Sequence, residues 1–550
     1  MPDTVAEILL ARQDDPGTAI IFEDRTWTYR EYVTQCVFRS QFIESLRSTD
    51  KFHVGVLLDN IPEYPMWLGA CALGNATLVG INPTRRGDEL ARDISHTQCD
   101  LIVTDSSYLA LLEDAKVDPR IVINIDDANY KASLGSFSGI YQVPRFGEPT
   151  KESVLLLIFT SGTSSAPKAV ICSQGRLAMI GSIVAQMFEL TAQDVCYCAM
   201  PLFHSNALMA NWCPTISAAS ILCLRRKFSA SGFLEDVRKY NVTYFNYVGK
   251  TLAYVLATQE RPNDSDNPLI RGFGNEGTQV DVENFSRRFG CKITDAYGST
   301  EGGAVISRSD DTPAGALGPL PNGTLVLNPE TGQECPRAQI DLDGKLLNPD
   351  EAIGEMVNQF GAASFEGYWN NDDATKERLK DGMYWTGDLA YVDESGFVYF
   401  AGRSFDWIRV DGENFAAAPI ERIISRLDEV ALCAVYAVPD TLVGDQVMVA
   451  LELKEGQSFI PSRFGEFLGQ QRDLGAKWAP KYVRVCRELP RTESNKVVKR
   501  QLRKEYWECE DPVYIRRAKD LEYDLLCETD IKEIRNLLSE KGRLGVLESL

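Results

Sequence analysis

The chain has 550 residues, 44% hydrophobic and 25% charged, a globular composition too long for one core and suited to two or three domains. Its 78 Asp and Glu outnumber 57 Lys and Arg for a formal net charge of −21, which excludes a general nucleic-acid binder, because displacing phosphate counterions requires a basic face. The 14 cysteines are scattered, and the one close pair, Cys196 and Cys198, lacks a second pair at zinc-like spacing, so free thiols of a reducing cytoplasm are expected.

Met1-Pro2-Asp3-Thr4 opens with an acid and no apolar segment follows a basic start, so no secretory signal is expected. Residues 24–29 alternate as a short strand before a helix from about Arg30. Strands are predicted at 53–58, 76–81 and 101–104, with helices at 63–73 and 87–95 between them. This alternation implies a mainly parallel sheet covered on both faces. Two long uncharged stretches, Pro65 to Asn82 and Cys196 to Leu224, approach membrane-spanning length. Asn75, Thr77, Pro201, His204, Asn206, Asn211 and Pro214 interrupt them, which favours buried elements of an α/β core and leaves peripheral membrane contact open.

Val154 to Phe159 is an apolar run that reads as a buried strand entering the turn Thr160-Ser161-Gly162-Thr163-Ser164-Ser165-Ala166-Pro167-Lys168. Glycine lets backbone N–H groups approach an anion, the hydroxyls add donors, and Lys168 supplies a positive charge. The spacing is not that of a Walker loop, because Pro167 stands where the second glycine belongs. The pattern T-S-G-T-x-x-x-P-K resembles the phosphate loop of the adenylate-forming enzymes, which include the acyl-CoA synthetases, with Ser165 and Ala169 in place of the usual glycines. The run Gly80 to Thr84 resembles a turn of the same family.

Met200-Pro201-Leu202-Phe203-His204 is similar to the family segment whose histidine lies beside the acyl tunnel, which implies a substrate-positioning role for His204. Gly272-Phe273-Gly274-Asn275-Glu276-Gly277 is a literal G-x-G-x-x-G with a helical pattern at 282–289 and Asp295 near Rossmann distance. Alone, those residues support an NAD-dependent dehydrogenase. In adenylate-forming enzymes the corresponding turn lies along adenine, which implies nucleotide contacts for Gly274, Asn275 and Glu276. Asp295-Ala296-Tyr297-Gly298-Ser299-Thr300-Glu301-Gly302 places an aromatic face, a hydroxyl and a carboxylate in one turn. Tyr297 can stack on adenine, Thr300 can bond the α-phosphate, and Glu301 can hold magnesium. Y-G-x-T-E is a specific match to the adenylate-forming family.

The resemblance continues at Gly367-Tyr368-Trp369 and at Tyr384 to Asp388. It implies that Asp388 and Arg403 reach the ribose, that Arg409 and Gly412 face CoA after a domain rotation, and that Phe405 occupies the hinge position. Pro419 onward reads as helix, strands at 431–438 and 446–453, and a helix near 462–472, a compact α+β domain. Leu489 to Arg500 matches the loop whose lysine enters the active site, which makes Lys496 the candidate catalytic residue beside Thr300 and Glu301; Asn495 replaces the usual glycine. Tyr247-Val248-Gly249-Lys250, the Gly274–Gly277 run and a tail with a predicted helix at 530–541 resemble the very-long-chain fatty acid and steroid side-chain acid branch, implying acyl-substrate roles for Tyr247 and Gly249.

The fold so implied is α/β: a large N-terminal adenylate-forming domain of layered sheets with helices at residues 1–402, a small α+β lid at 403–506, and an extension at 507–550. The activity implied is ATP-dependent joining of a carboxylic acid to CoA through an acyl-adenylate, with magnesium. The dehydrogenase and a non-catalytic nucleotide or acyl binder are the alternatives. Oligomeric state is not legible.

Overall fold

The computed structural model describes residues 2–541, 543–544 and 547, apart from 161–167, 250, 278, 310, 314, 342–345, 404–406, 411–412, 442–444, 472–473, 476, 492–496 and 518–519. The chain forms two compact units, Met1–Gly303 with Gly361–Asp381, and Ala304–Phe360 with Gly382–Leu550.

In the first unit one six-stranded sheet runs Val122–Asn124, Leu101–Thr104, His53–Leu57, Thr77–Gly80, Val154–Phe159 and Ala169–Ser173. All neighbours are parallel except the last pair, a hairpin. The helices Glu63–Leu73 and Gly87–His96 fall where the apolar periodicity puts them. These strands read as continuous Val, Leu and Ile because crossover helices cover a parallel sheet on both faces. The helix Tyr29–Leu46 starts at a reciprocal cap between Thr28 and Glu31, which satisfies two orphan N–H groups of its first turn.

A second layer runs Lys292–Gly298, Arg271–Asn275, Tyr244–Val248, Val195–Cys198, Ile221–Leu224, Thr18–Phe22 and Arg25–Thr28. It is parallel up to the final antiparallel pair. Phe233, Phe245, Phe285 and Phe289 fill its core with edge-to-face and offset contacts. Both uncharged stretches are interior: Tyr64 to Leu73 is buried throughout, as are Asn211 to Ile216. Among the described residues no helix is long and apolar enough to cross a membrane.

The G-x-G-x-x-G run is not a dinucleotide turn. Gly272 and Gly274 lie inside the strand Arg271–Asn275, paired on both sides. A Cβ at Gly274 would meet the Tyr247 carbonyl at 2.2 Å, and one at Gly272 would meet the Phe245 ring at 2.3 Å. A Rossmann fingerprint needs its leading glycines in the turn after the strand, where backbone meets pyrophosphate. Here sheet packing demands them. The 295–302 segment also differs from a single turn: the strand continues through Gly298, and only Ser299 to Gly302 turns, closed by Gly302 N–H donating to Ser299 O.

The second unit holds an antiparallel sheet ordered Gly318–Pro319, Phe397–Arg403, Met383–Val392, Gly354–Asn358 and Thr324–Leu327, with a turn at Asp393 as expected. The hairpin Trp407–Val410 with Glu413–Ala416 follows. The five-stranded sheet runs Val430–Pro439, Asp445–Leu453, Tyr482–Cys486, Val513–Arg516 and Tyr523–Leu525, with helices Ala417–Ile424 and Pro461–Gln470. Its last two strands belong to the C-terminal extension, so the tail completes the sheet. Trp507 stacks on Tyr482 at 4.7 Å, and the helix Glu528–Glu540 buries Ile534 and Leu538 on one side.

Candidate functional site

Two segments converge at the carboxyl ends of the parallel strands, where open α/β sheets bind ligands. Thr160 and Lys168 close the hairpin: Thr160 N–H donates to Lys168 O at 3.0 Å, directly beyond the Phe159 and Ala169 pair. Ala169 is buried and its carbonyl accepts from Trp369 N–H at 2.8 Å, so the strand accommodates a methyl at this position. Lys168 is mostly buried, with its Nζ 5.7 Å from the Tyr368 ring centre and 3.9 Å from the exposed Glu377 carboxylate. Ser161, Gly162, Thr163 and Ser164 lie outside the described residues.

Thr300 and Glu301 are fixed from several elements at once. The buried Arg176, on the helix Gln174–Met187, donates through Nη2 to Thr300 O at 2.6 Å and through Nη1 to Ile171 O at 3.1 Å. Gly302 has φ +72, and a Cβ there would lie 2.6 Å from Arg176 Nη2. Only glycine permits both the left-handed turn and the guanidinium beneath it. The Thr300 hydroxyl is 2.7 Å from Ser205 Oγ. Tyr368 donates its hydroxyl to Glu301 Oε1 at 2.7 Å, and burial, then the adjacent Glu301 carboxylate, push the phenol well above its ordinary range.

Glu301 is buried, and its second carboxylate oxygen accepts from no described protein group. Among the described residues no cluster of three or more His, Cys, Asp or Glu stands ready for a metal. One carboxylate without companions fits magnesium, which keeps waters and takes substrate phosphates for its remaining ligands. Such an ion would be held by Glu301 together with the nucleotide, and it would neutralise phosphate charge.

His204 precedes the helix Ser205–Ala207, and its ring lies tilted against that of Phe203, with centres 4.2 Å apart. Phe203 in turn rests on Gly80, where a Cβ would come within 3.1 Å of its backbone, so the Gly80 to Thr84 run makes room for the His204 segment. Tyr247 is fully buried and donates its hydroxyl to Asp295 at 2.8 Å, which also accepts from Gly277 N–H. It supports the wall from behind and lines no open surface in this conformation. Gly249 has φ +56 and donates its N–H to Asn275 O at 2.8 Å. Tyr297 and Gly298 end the strand Lys292–Gly298, and Glu276 takes φ +65 just past Asn275.

In the second unit Asp388 faces Arg403 across the strand pair Met383–Val392 and Phe397–Arg403. The Asp388 N–H donates to Thr386 Oγ1, and the preceding Gly387 at φ +71 donates to Glu355. The backbone of Arg409 pairs with Asn414. Lys496, Gly412, Phe405 and Asn495, and the side chains of Arg403 and Arg409, lie outside the description. The sequence reading gave no role to Arg176, Ser205, Asn206 or Tyr368. An arginine three residues after the capping Ser173, and an asparagine inside an apolar stretch, are the signals that point to Arg176 and Asn206.

A parallel α/β layer whose carboxyl ends present a lysine, a hydroxyl and a buried carboxylate defines an enzyme built around an anionic nucleotide. The AMP-binding enzyme family matches residues 10–369 and the AMP-binding enzyme C-terminal domain matches 419–496. The chain is 48% identical over 516 residues to a steroid-22-oyl-CoA synthetase of Rhodococcus jostii (strain RHA1), covering 93% of this chain and 92% of that one. It is 45% identical to the medium/long-chain-fatty-acid–CoA ligase FadD17 of Mycobacterium marinum, over 93% and 98% of the two chains. The solved anthranilate CoA ligase AuaEII shares the fold with a TM-score of 0.79 at 19% identity, covering 92% of this chain and 97% of its own. The ATP-bound MatB of Rhodopseudomonas palustris does so at 0.78 and 22%, over 92% and 99%. The chain belongs to the AMP-binding enzyme family, in its acyl-CoA synthetase branch: an AMP-forming acid–thiol ligase that uses ATP and CoA. The dehydrogenase alternative falls with this membership.

Proposed function

We propose that this enzyme activates a bulky, largely apolar carboxylic acid, a medium- to very-long-chain fatty acid or a steroid side-chain acid. The names of its relatives in Rhodococcus and Mycobacterium support that substrate class. The observation that carries the chemistry is the corner in which Thr300 and Glu301 are held by Ser205, Arg176 and Tyr368 near Lys168.

The carboxylate attacks the α-phosphorus and pyrophosphate leaves; two anions must meet, so the barrier is electrostatic. Thr160 to Ser164 and Lys168 receive the phosphates, Thr300 bonds the α-phosphate, and Glu301 would hold a magnesium ion, which would supply charge neutralisation at the phosphates. Gly274, Asn275, Glu276, Tyr297 and Gly298 embrace adenine, while Asp388 and Arg403 take the ribose hydroxyls. Lys496 supplies the cation of the adenylation step. Rotation of residues 403–506 against 1–402 then withdraws Lys496 and brings Arg409 and Gly412 to the CoA thiol, which displaces AMP from the acyl-adenylate. His204, Tyr247 and Gly249 shape the acyl side, Tyr247 from behind.

Pyrophosphate release is to be screened over fatty and steroid acids, with and without CoA. Lys496→Ala should slow adenylation ~100-fold or more, the range for a lost charge-stabilising donor, and spare thioester formation from supplied acyl-adenylate. Equal loss in both half-reactions would remove Lys496 from this role.

A further inference from the structure

A line of asparagines runs from the interior of the second layer to the carboxyl end of the strand Arg271–Asn275. Asn206 and Asn211 are five residues apart, and the π-helical turn Leu208–Trp212, which contains Asn211, aligns such a pair on one face. Thr215 follows four residues later in the α-helix Cys213–Ala218. Opposite this face stands Asn246 on the strand Tyr244–Val248. Asn211 and Asn246 are buried, as is Thr215.

The direction of every amide follows from its partners. Asn211 Nδ2 donates to Tyr197 O at 2.9 Å, and a carbonyl only accepts, so the amide orientation is set; Nδ2 also donates to Asn246 Oδ1 at 2.8 Å. The Asn211 oxygen faces the Thr215 hydroxyl at 3.5 Å. Asn246 Nδ2 then donates to Asn206 Oδ1 at 2.7 Å. Asn206 Nδ2 donates to Tyr247 O and to Asn275 Oδ1, both at 3.1 Å. The chain of donors runs one way and ends on the Asn275 oxygen. Asn275 is left with its Nδ2 as a donor that no described protein group accepts.

We propose that Asn206 is a positioning residue for the nucleotide: by occupying the oxygen of Asn275 it leaves the Asn275 amide nitrogen to donate to an acceptor atom of the bound base. The assignment rests on the reading that this strand end meets adenine. An apolar residue at 206 would free Asn275 to rotate, and the buried amides behind it would lose a partner.

The test is acid-dependent ATP–pyrophosphate exchange, run first on the wild-type enzyme; absence of exchange there would fail the adenylation reading itself, and the proposal with it. With exchange established, Asn206→Ala should raise the KM for ATP about tenfold, the effect of one lost hydrogen bond, with kcat within about twofold. Its thermal midpoint should rise less on adding ATP than that of the wild type. Asn275→Ala should do the same, and the double variant should be no worse than Asn275→Ala alone. Asn275→Asp is the decisive variant, and it keeps the Asn206 donor satisfied. A donor requirement makes it at least as poor as Asn275→Ala. A wild-type KM for ATP in Asn275→Asp would overturn the proposal, as would multiplicative losses in the double variant or an Asn206→Ala defect confined to kcat.

Discussion

The Tyr368 hydroxyl donates to the Glu301 carboxylate across 67 residues of sequence, and this one hydrogen bond joins the Gly367 to Trp369 segment to the most specific motif in the chain. It orients a buried carboxylate whose other oxygen accepts from no described protein group.

Tyr368→Phe keeps the ring beside Lys168 and removes only that donor. A lost hydrogen bond to a charged group is worth about 1.5–3 kcal/mol, so adenylation should fall by about tenfold or more while thioester formation from supplied acyl-adenylate is retained. The folded phenol titrates above its ordinary value, near 10. The contribution is therefore complete below that value and lost only as pH rises beyond it, and the acid limb of the rate profile should be the same in wild type and variant. A Tyr368→Phe enzyme with full pyrophosphate exchange would count against the orienting role.

Gly302→Ala introduces a methyl 2.6 Å from Arg176 Nη2 at a left-handed position. Displacement of the guanidinium releases Thr300 O, so adenylation should fall by about tenfold or more with a stability loss of about 1–3 kcal/mol, the cost of a strained left-handed residue. Arg176→Lys should resemble it, since a single ammonium does not reproduce a fork that spans Thr300 O and Ile171 O. Denaturant midpoints and exchange rates measure the two effects separately.

Thiol reactivity tests the interior. Of the 14 cysteines only Cys527 is exposed. Burial pushes Cys172 up to about 11 and Cys36 and Cys196 up to about 12, so at pH 8 their thiolate fractions are very small. One thiol should react rapidly with a neutral alkylating agent in the native protein, all 14 in denaturant, and Cys527→Ser should abolish the fast phase. A fast phase that survives this substitution would contradict the packing.

The tail should prove structural. Trp507 is buried against Tyr482, and Trp507→Ala should cost about 3–5 kcal/mol, as large-to-small core changes do. Arg484 is buried between the partly exposed Glu505 and Asp511, each 2.7 Å from Nη2, and Arg484→Met should cost less, about 1.5–3 kcal/mol, the range for lost hydrogen bonds to charged groups. Truncation after residue 506 should leave Tyr482–Cys486 as an unpaired sheet edge and lower the yield of folded protein. Unchanged thermal midpoints for these variants would show the extension to be merely attached.

Local chemistry carried much of this into the sequence. Val54 to Leu57 and Leu155 to Ile158 are buried on both faces, and an all-apolar run is how such a strand must read. The caps, the left-handed glycine at 302 and the lysine after a hydroxyl-rich turn are each set by neighbours within a few residues. The G-x-G-x-x-G run misleads for the same reason: spacing records that glycines are needed, and only the sheet shows that Phe245 and the Tyr247 carbonyl need them.

By itself, then, the order of residues determined the alternating α/β layers, the turn that ends in Thr300 and Glu301, and membership of a nucleotide-using family, because helix and strand periods and backbone torsions are short-range properties. Tertiary structure alone decided that Tyr368 serves Glu301, that Arg176 lies under Thr300, and that Asn206 reads Asn275. Each of those pairs is brought together by packing elements distant in the chain, and a hydrogen bond requires angstrom-scale placement that no local pattern encodes.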